Sequence, residues 1–222
     1  MTDSLVVNDA DASLPFHRHD DARVIVVLEG EICESSISGR HTYGQGEFLF
    51  RPPFCAHENA PSGKPSIFLR LPVSKHIWLA AVKRHGWRAM CGKFEFHDRA
   101  HRDMLRPNAS GDAFLNFSLS VPDTAKQRPD IVRSKSFAAL ASETGVRPYA
   151  LTRKVKREFG LTPTEFRREW RLRAALDRLA SGSIAIADIA SECGFADQSH
   201  LTRTVRTATG YSPAAFRRFV QA

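Results

Sequence analysis

From Leu5 to Leu71 apolar and polar positions alternate with a period near two, in short runs such as RVIVVLEG (23–30), EICESS (31–36), GEFLF (46–50) and SIFLRL (66–71). Successive side chains of an extended chain point to opposite faces, so each run predicts a short strand with one face toward a core. Gly30, Gly39, Gly44, Gly46, Pro52, Pro53 and the PSGKP segment (61–65) separate the runs and supply tight turns. Roughly seven strands in a small antiparallel barrel or sandwich are expected, occupying 1–72.

Beyond Ser74 the period lengthens. SKHIWLAAVKRHGWRAM (74–90) places Ile77, Trp78, Ala81 and Val82 on one helical face, with Ser74 as a start and a break or end near Gly86. Further helices are expected at about 98–106 and 112–119, so that 73–121 forms a helical segment. A surface helix with an exposed apolar stripe beside a small barrel is a common dimer contact, and a homodimer is expected from this segment. His97 and His101 keep helical i, i+4 spacing, but with no third ligand they read as a solvated face. PDTAKQRPD (122–130), polar and bounded by prolines, marks a linker over 122–132.

Residues 133–222 are helical throughout, and they repeat. Ile186, Ile189 and Ala190 keep helical spacing until Cys193-Gly194; Asp197 then caps a new helix striped by Leu201 and Val205. Shifted by 49 to 50 residues, FAALASETG (137–145) falls on IADIASECG (186–194), and LTRKVKREFGLTPTEFRR (151–168) falls on LTRTVRTATGYSPAAFRR (201–218). The first copy is one residue shorter, within the turn. Two helix-turn-helix units, at about 134–160 and 183–210, are thus expected in tandem. Between them TPTEFRREWRLRAALDRLASG (162–182) reads as one long helix, started by Thr162-Pro163, striped by Phe166, Trp170, Ala174, Leu176 and Leu179, and ended by Gly182. The fold class is α+β multidomain: a small antiparallel barrel with helices, then an all-α domain of two linked helix-turn-helix units.

Charge sharpens the division. Residues 130–222 carry 16 Lys/Arg against 9 Asp/Glu, whereas 1–129 carry 16 against 15, so nearly all of the +8 net charge lies on the repeats. Basic charge coinciding with tandem helix-turn-helix units points to nucleic acid. The longest aliphatic run, Val24 to Leu28, is too short to span a bilayer, and four scattered cysteines without a CxxC pair suit reduced thiols. A cytoplasmic protein with no membrane partner is expected.

FHRHDDARVIVVLEG (16–30) followed by GEFLFRPPFCAH (46–57) resembles the paired motifs of cupins: His17 and His19 match the HxH, Gly30 closes the first motif, and Gly46, Pro52 and His57 match the second. Arg23 stands where metal-binding cupins carry a glutamate. A guanidinium at that place repels a metal and suits an anionic effector, so His17, His19, Arg23 and His57 form the expected effector pocket. No cofactor is expected; the open alternative is a divalent metal on His17, His19 and His57. Cys55, two residues from His57, offers a soft fourth ligand or redox-sensitive thiol, against a structural role.

The signature IADIASECGFADQSHLTRTVRTATGYSPAAFRR, its upstream copy and the linking helix resemble the AraC/XylS family of transcriptional regulators over about 134–220. The resemblance implies a DNA-binding regulator controlled by a small-molecule effector, acting on a double-stranded DNA operator and RNA polymerase, with no catalytic residues. The first reading helix, PYALTRKVKREFG (148–160), turns Leu151, Val155 and Phe159 inward, leaving Tyr149, Thr152 and Arg153 for base edges and Lys154, Lys156 and Arg157 for phosphates. In the second, Gln198, Ser199, Thr202 and Arg203 face bases. Arg206, Arg167, Arg168, Arg217 and Arg218 are expected at phosphates or in solvent; His200 either contacts the DNA backbone or caps the packing. The competing readings are a metal-dependent cupin enzyme fused to a DNA-binding domain, and a nonspecific nucleic-acid-binding protein.

Overall fold

The computed structural model describes residues 5–93, 110–116, 119, 139, 141–142 and 145–222. The helix expected at 98–106, with His101 and the nearby His97, and the linker at 122–132 lie outside the described residues. The chain divides into two compact units, Met1–Pro122 and Asp123–Ala222.

The first unit is built on strands β1 (Leu5–Asn8), β2 (Leu14–His17), β3 (Arg23–Glu29), β4 (Glu31–Ser36), β5 (Gly39–Gly44), β6 (Glu47–Arg51), β7 (His57–Ala60) and β8 (Ser66–Pro72), then helix α1 (Lys75–His85) and strand β9 (Met90–Lys93). They form two antiparallel sheets, ordered β1-β8-β3-β6-β9 and β2-β7-β4-β5. The core lies between them around Ile25, Val27, Ile32, Tyr43, Leu49 and Phe68. β3 departs from alternation because Val24 to Val27 are all buried, as a central strand covered on both faces requires. Its second face is covered in part by a 3-10 turn, Gly111–Asn116, whose Phe114 packs 5.2 Å from Phe48. That turn replaces the α-helix expected at 112–119.

β9 extends the sheet beyond residue 72, where sequence had ended the barrel. It was invisible in the pattern because four residues, MCGK, carry no readable period, and pairing with the β6 edge makes them a strand. α1 ends where Gly86 takes a positive φ of 80°. Its Trp78, Leu79, Ala81 and Val82 are buried within the unit, while Lys75, His76, Lys83 and Arg84 are exposed. The expected apolar stripe is used internally, so α1 offers none to a second copy.

Two features fix the end of the barrel that carries the histidines. Arg51 on β6 of one sheet and Glu34 on β4 of the other form a buried ion pair. The β6–β7 loop is latched at two points: the Phe54 amide donates to the His19 carbonyl at 2.7 Å, and the Trp87 indole donates to the Pro53 carbonyl at 2.6 Å. Phe54 holds a φ of 66°, a left-handed conformation that costs a non-glycine residue about 1–2 kcal/mol and persists because its surroundings impose it.

The second unit contains α2 (Pro148–Phe159), α3 (Pro163–Ser181), α4 (Ile186–Glu192), α5 (Gln198–Thr209) and α6 (Pro213–Gln221). α3 starts with a full capping box, Thr162 and Glu165 satisfying each other's backbone amides. It buries Phe166, Leu172, Ala175, Leu176 and Leu179 and packs against α2, α4, α5 and α6. Trp170 and Ala174, read as part of the core stripe, are half-buried, and the Arg173 guanidinium lies 4.7 Å over the Trp170 ring.

Candidate nucleic-acid interface

The two repeats fold alike at every diagnostic point. In the first turn the Gly145 and Val146 amides donate to the carbonyls of Ser142 and Ala141; in the second, Gly194 and Phe195 donate to Ser191 and Ala190. The offset is 49 residues at all four positions. Both glycines have positive φ, 65° and 75°, which the sharp reversal between the helices demands. Beyond the turn the offset becomes 50: Leu151 and Leu201, Val155 and Val205, Phe159 and Thr209 are buried, and Gly160 and Gly210 end both helices left-handed.

These buried stripes turn the opposite faces of α2 and α5 outward. Tyr149 is 72% exposed, and the Arg153 guanidinium lies 5.7 Å over its ring. Thr152, Arg153, Lys156 and Arg157 are exposed and Lys154 half-buried on α2; Gln198, Ser199, Arg203 and Arg206 are exposed on α5, with Thr202 half-buried and its hydroxyl donating to the Gln198 carbonyl. The geometry thus presents Arg153 and Arg203 at equivalent places on the outer faces of two equivalent helices.

Other residues have duties within the unit. His200 donates its amide to the Asp197 carboxylate at 2.6 Å, accepts from the Ala196 amide at 3.4 Å and stands edge-on to Phe195 at 5.2 Å, which makes it part of the turn's packing. Arg217, expected at phosphate, donates to the Ile184 carbonyl and ties α6 to the start of the second repeat. Gln221 donates to the Leu179 and Gly182 carbonyls, and Arg178 on α3 pairs with Glu192 on α4 at 2.6 Å. Arg167 is half-buried; Arg168 is exposed and stands 3.5 Å from Glu169; Arg218 is exposed.

In the barrel the structure brings His17, His19 and His57 together, with Arg23 beside them. Burial, reinforced by the positive charges of Arg23 and Arg51, lowers His19 to about 4, and burial with Arg51 lowers His57 further. Arg23 is committed to Asp21, its Nε 2.6 Å from the carboxylate. The Cys55 thiol is directed to the Trp87 carbonyl at 3.9 Å, and Cys55 precedes β7 instead of lying on it. The buried Glu34–Arg51 pair escaped sequence reading, since EICESS offers no hint that its second glutamate faces a cation seventeen residues on.

The lowered histidines set a pH dependence. Unfolded, both take protons below about 6.5; folded, His19 does so only near 4, so the unfolded chain binds more protons in between. Stability is complete above about 6.5 and falls as pH drops toward 4. The urea midpoint of chelator-treated protein, followed through this window, is expected to fall less in His19→Gln and least in a His19→Gln/His57→Gln variant. An unchanged slope in both would refute it.

Residues 140–218 match the family model described as a helix-turn-helix domain. The HTH-type transcriptional activator RhaS of Escherichia fergusonii is 32% identical over 114 residues, a match covering 51% of this chain and 39% of that protein. RhaS of Escherichia coli O9:H4 (strain HS) is 32% identical over 79 residues, 36% of this chain and 28% of that protein. The chain thus spans well under half the length of these relatives. Among solved structures, ToxT of Vibrio cholerae O395 is similar at a TM-score of 0.43 and 13% identity, over 99% of this chain and 97% of that one. A regulator of Chromobacterium violaceum described as AraC-type DNA-binding domain-containing is similar at a TM-score of 0.35 and 30% identity, over 37% of this chain and 74% of that one.

Repeated turns, buried stripes and outward arginines define a tandem helix-turn-helix unit of the DNA-binding class. Over residues 140–218 this C-terminal unit is similar to helix-turn-helix domains, including those of the RhaS transcriptional activators.

Proposed function

We propose that the whole chain is a sequence-specific, double-stranded-DNA-binding transcription regulator whose barrel is the input domain for a small-molecule effector. The observation that carries this reading is the duplication itself: Arg153 and Arg203 stand one repeat apart, each exposed two positions past a buried leucine. Arginine in the first turns of a reading helix makes bidentate contacts to guanine in the major groove, while neighbouring Lys and Arg hold phosphates and set register. Two linked readers reach successive groove faces, so one chain can read an asymmetric operator. The role would place the protein in the cytoplasm, with RNA polymerase as a protein partner and a second copy of the chain joined through a surface other than α1. His17, His19, Arg23 and His57 form the proposed input site.

The test is selection of bound fragments from genomic DNA, then competition by random DNA at rising salt. A protected operator that survives salt at which random DNA no longer competes supports the reading; steep salt dependence without sequence preference favours nonspecific binding. Arg203→Ala is expected to weaken operator binding by roughly 1–3 kcal/mol and to relax preference at one base pair. Unaltered selectivity in the competition assay would remove Arg203 from the base-reading set.

A further inference from the structure

The barrel contains a constellation that DNA reading does not use. His17 ends β2 and His57 opens β7, directly opposite each other in the antiparallel register. Their ring centroids are 4.2 Å apart, with His19 at 4.9 Å from His17 and 5.3 Å from His57. One ring nitrogen from each histidine lies within 4.8 Å of the other two.

The hydrogen bonds decide what those nitrogens offer. His17 Nδ1 is 2.7 Å from the Pro15 carbonyl oxygen, and His57 Nδ1 is 3.2 Å from that of Cys55. A carbonyl can only accept, so each Nδ1 carries the proton and each Nε2 keeps a free lone pair. Fixing a ring through Nδ1–H to a backbone carbonyl is how proteins aim an imidazole at a metal. The latched Phe54 loop holds His57's approach against the His19 backbone, so the three rings are positioned by the barrel itself.

Charge is compatible with a cation there. Arg23, the sequence argument against a metal, is bonded to Asp21, and Arg51 is bonded to Glu34. The two arginines whose charges act on His19 therefore each have their own carboxylate. Metal–nitrogen bonds of about 2.0–2.1 Å bring ligand nitrogens to a little over 3 Å from one another, which needs only side-chain adjustment from the present separations. Three neutral imidazoles without a carboxylate suit zinc, nickel, copper or ferrous iron, and disfavour magnesium or calcium.

We propose that His17, His19 and His57 bind one divalent transition-metal ion in the barrel, leaving a coordination position for water or an anionic oxygen. This deepens the reading of the barrel as the input domain, and it is separable from the DNA-binding reading because its test contains no DNA.

Full-length protein, stripped with chelator and dialysed, is titrated with Co²⁺ and followed by visible absorption, then challenged with Zn²⁺. One saturable set of Co²⁺ bands per chain, displaced by one equivalent of Zn²⁺, is expected. His17→Gln and His19→Gln should each weaken Co²⁺ binding by at least tenfold, while His76→Gln, on the exposed side of α1, should bind as the parent does. Thermal unfolding of each metal-free variant verifies that it remains folded, and Zn²⁺ should raise the transition temperature of the parent but not of His17→Gln. Absence of a saturable band, or its survival in both cluster variants, would overturn the assignment.

Discussion

Replacing Arg51 by methionine is expected to destabilise the first unit by about 3–5 kcal/mol, because the change strands a buried carboxylate. Arg51 and Glu34 are 5% and 3% exposed. Burial pushes the Glu34 carboxyl up and the Arg51 guanidinium pulls it back; since arginine does not give up its proton, a neutral Glu34 would leave a buried cation unmatched. Methionine keeps much of arginine's volume, so the loss reports charge more than packing. The double variant Glu34→Leu/Arg51→Met should recover most of it, as apolar pairs of similar size often match or exceed buried ion pairs. Urea denaturation of the full chain measures both; a single-variant cost below about 1 kcal/mol would show that the pair matters little.

The second large effect concerns the repeats. Phe166 on α3 and Phe216 on α6 are equivalent by sequence offset, and both are 0% exposed. Each follows a capped Thr-Pro or Ser-Pro start and closes its unit against the reading helix; Phe166 packs 4.5 Å from Phe159. Truncating a buried phenylalanine to alanine removes its transfer free energy and leaves a cavity, so Phe216→Ala and Phe166→Ala should each cost about 3–5 kcal/mol. Calorimetry of the full chain is the check. Because α5 is held through Leu201 and Val205 on this core, Phe216→Ala should also abolish operator retention under conditions where the parent binds. A variant with unchanged stability would mean that α6 does not close the unit as described.

The helix-turn-helix half was legible because everything that specifies it is local. A glycine at each reversal, a Thr-Pro or Ser-Pro step before each closing helix, Asp197 before the second reading helix and apolar residues at helical spacing act within a few residues, and most of them are stated twice by the repeat. The barrel was legible as strands in number and kind only approximately. β9 exists by pairing with β6, and the burial of Val24 to Val27 on both faces depends on segments far along the chain. The candidate site divides in the same way. The HxH and His57 could be marked from sequence, and so could exposed Arg153 and Arg203. The commitments of Arg23 to Asp21, Arg217 to Ile184 and Arg51 to Glu34 could not, since an isolated arginine does not announce its partner. Trp170 was misread for a related reason: helical spacing gives a face, but what covers that face is set by other helices.

The starts of the two reading helices differ, and the difference divides labour between them. α5 begins on Asp197, whose carboxylate holds the His200 amide, whereas α2 begins after Arg147 with Pro148 and no side-chain cap. A cap of this kind is worth about 1 kcal/mol to the end it secures. The second reader therefore arrives with its first turn already set, while the first turn of α2 can fray and become ordered against a phosphate. On the proposed reading of an operator, the C-terminal reader would meet DNA with its first turn already set, and the N-terminal reader would order its own first turn on contact.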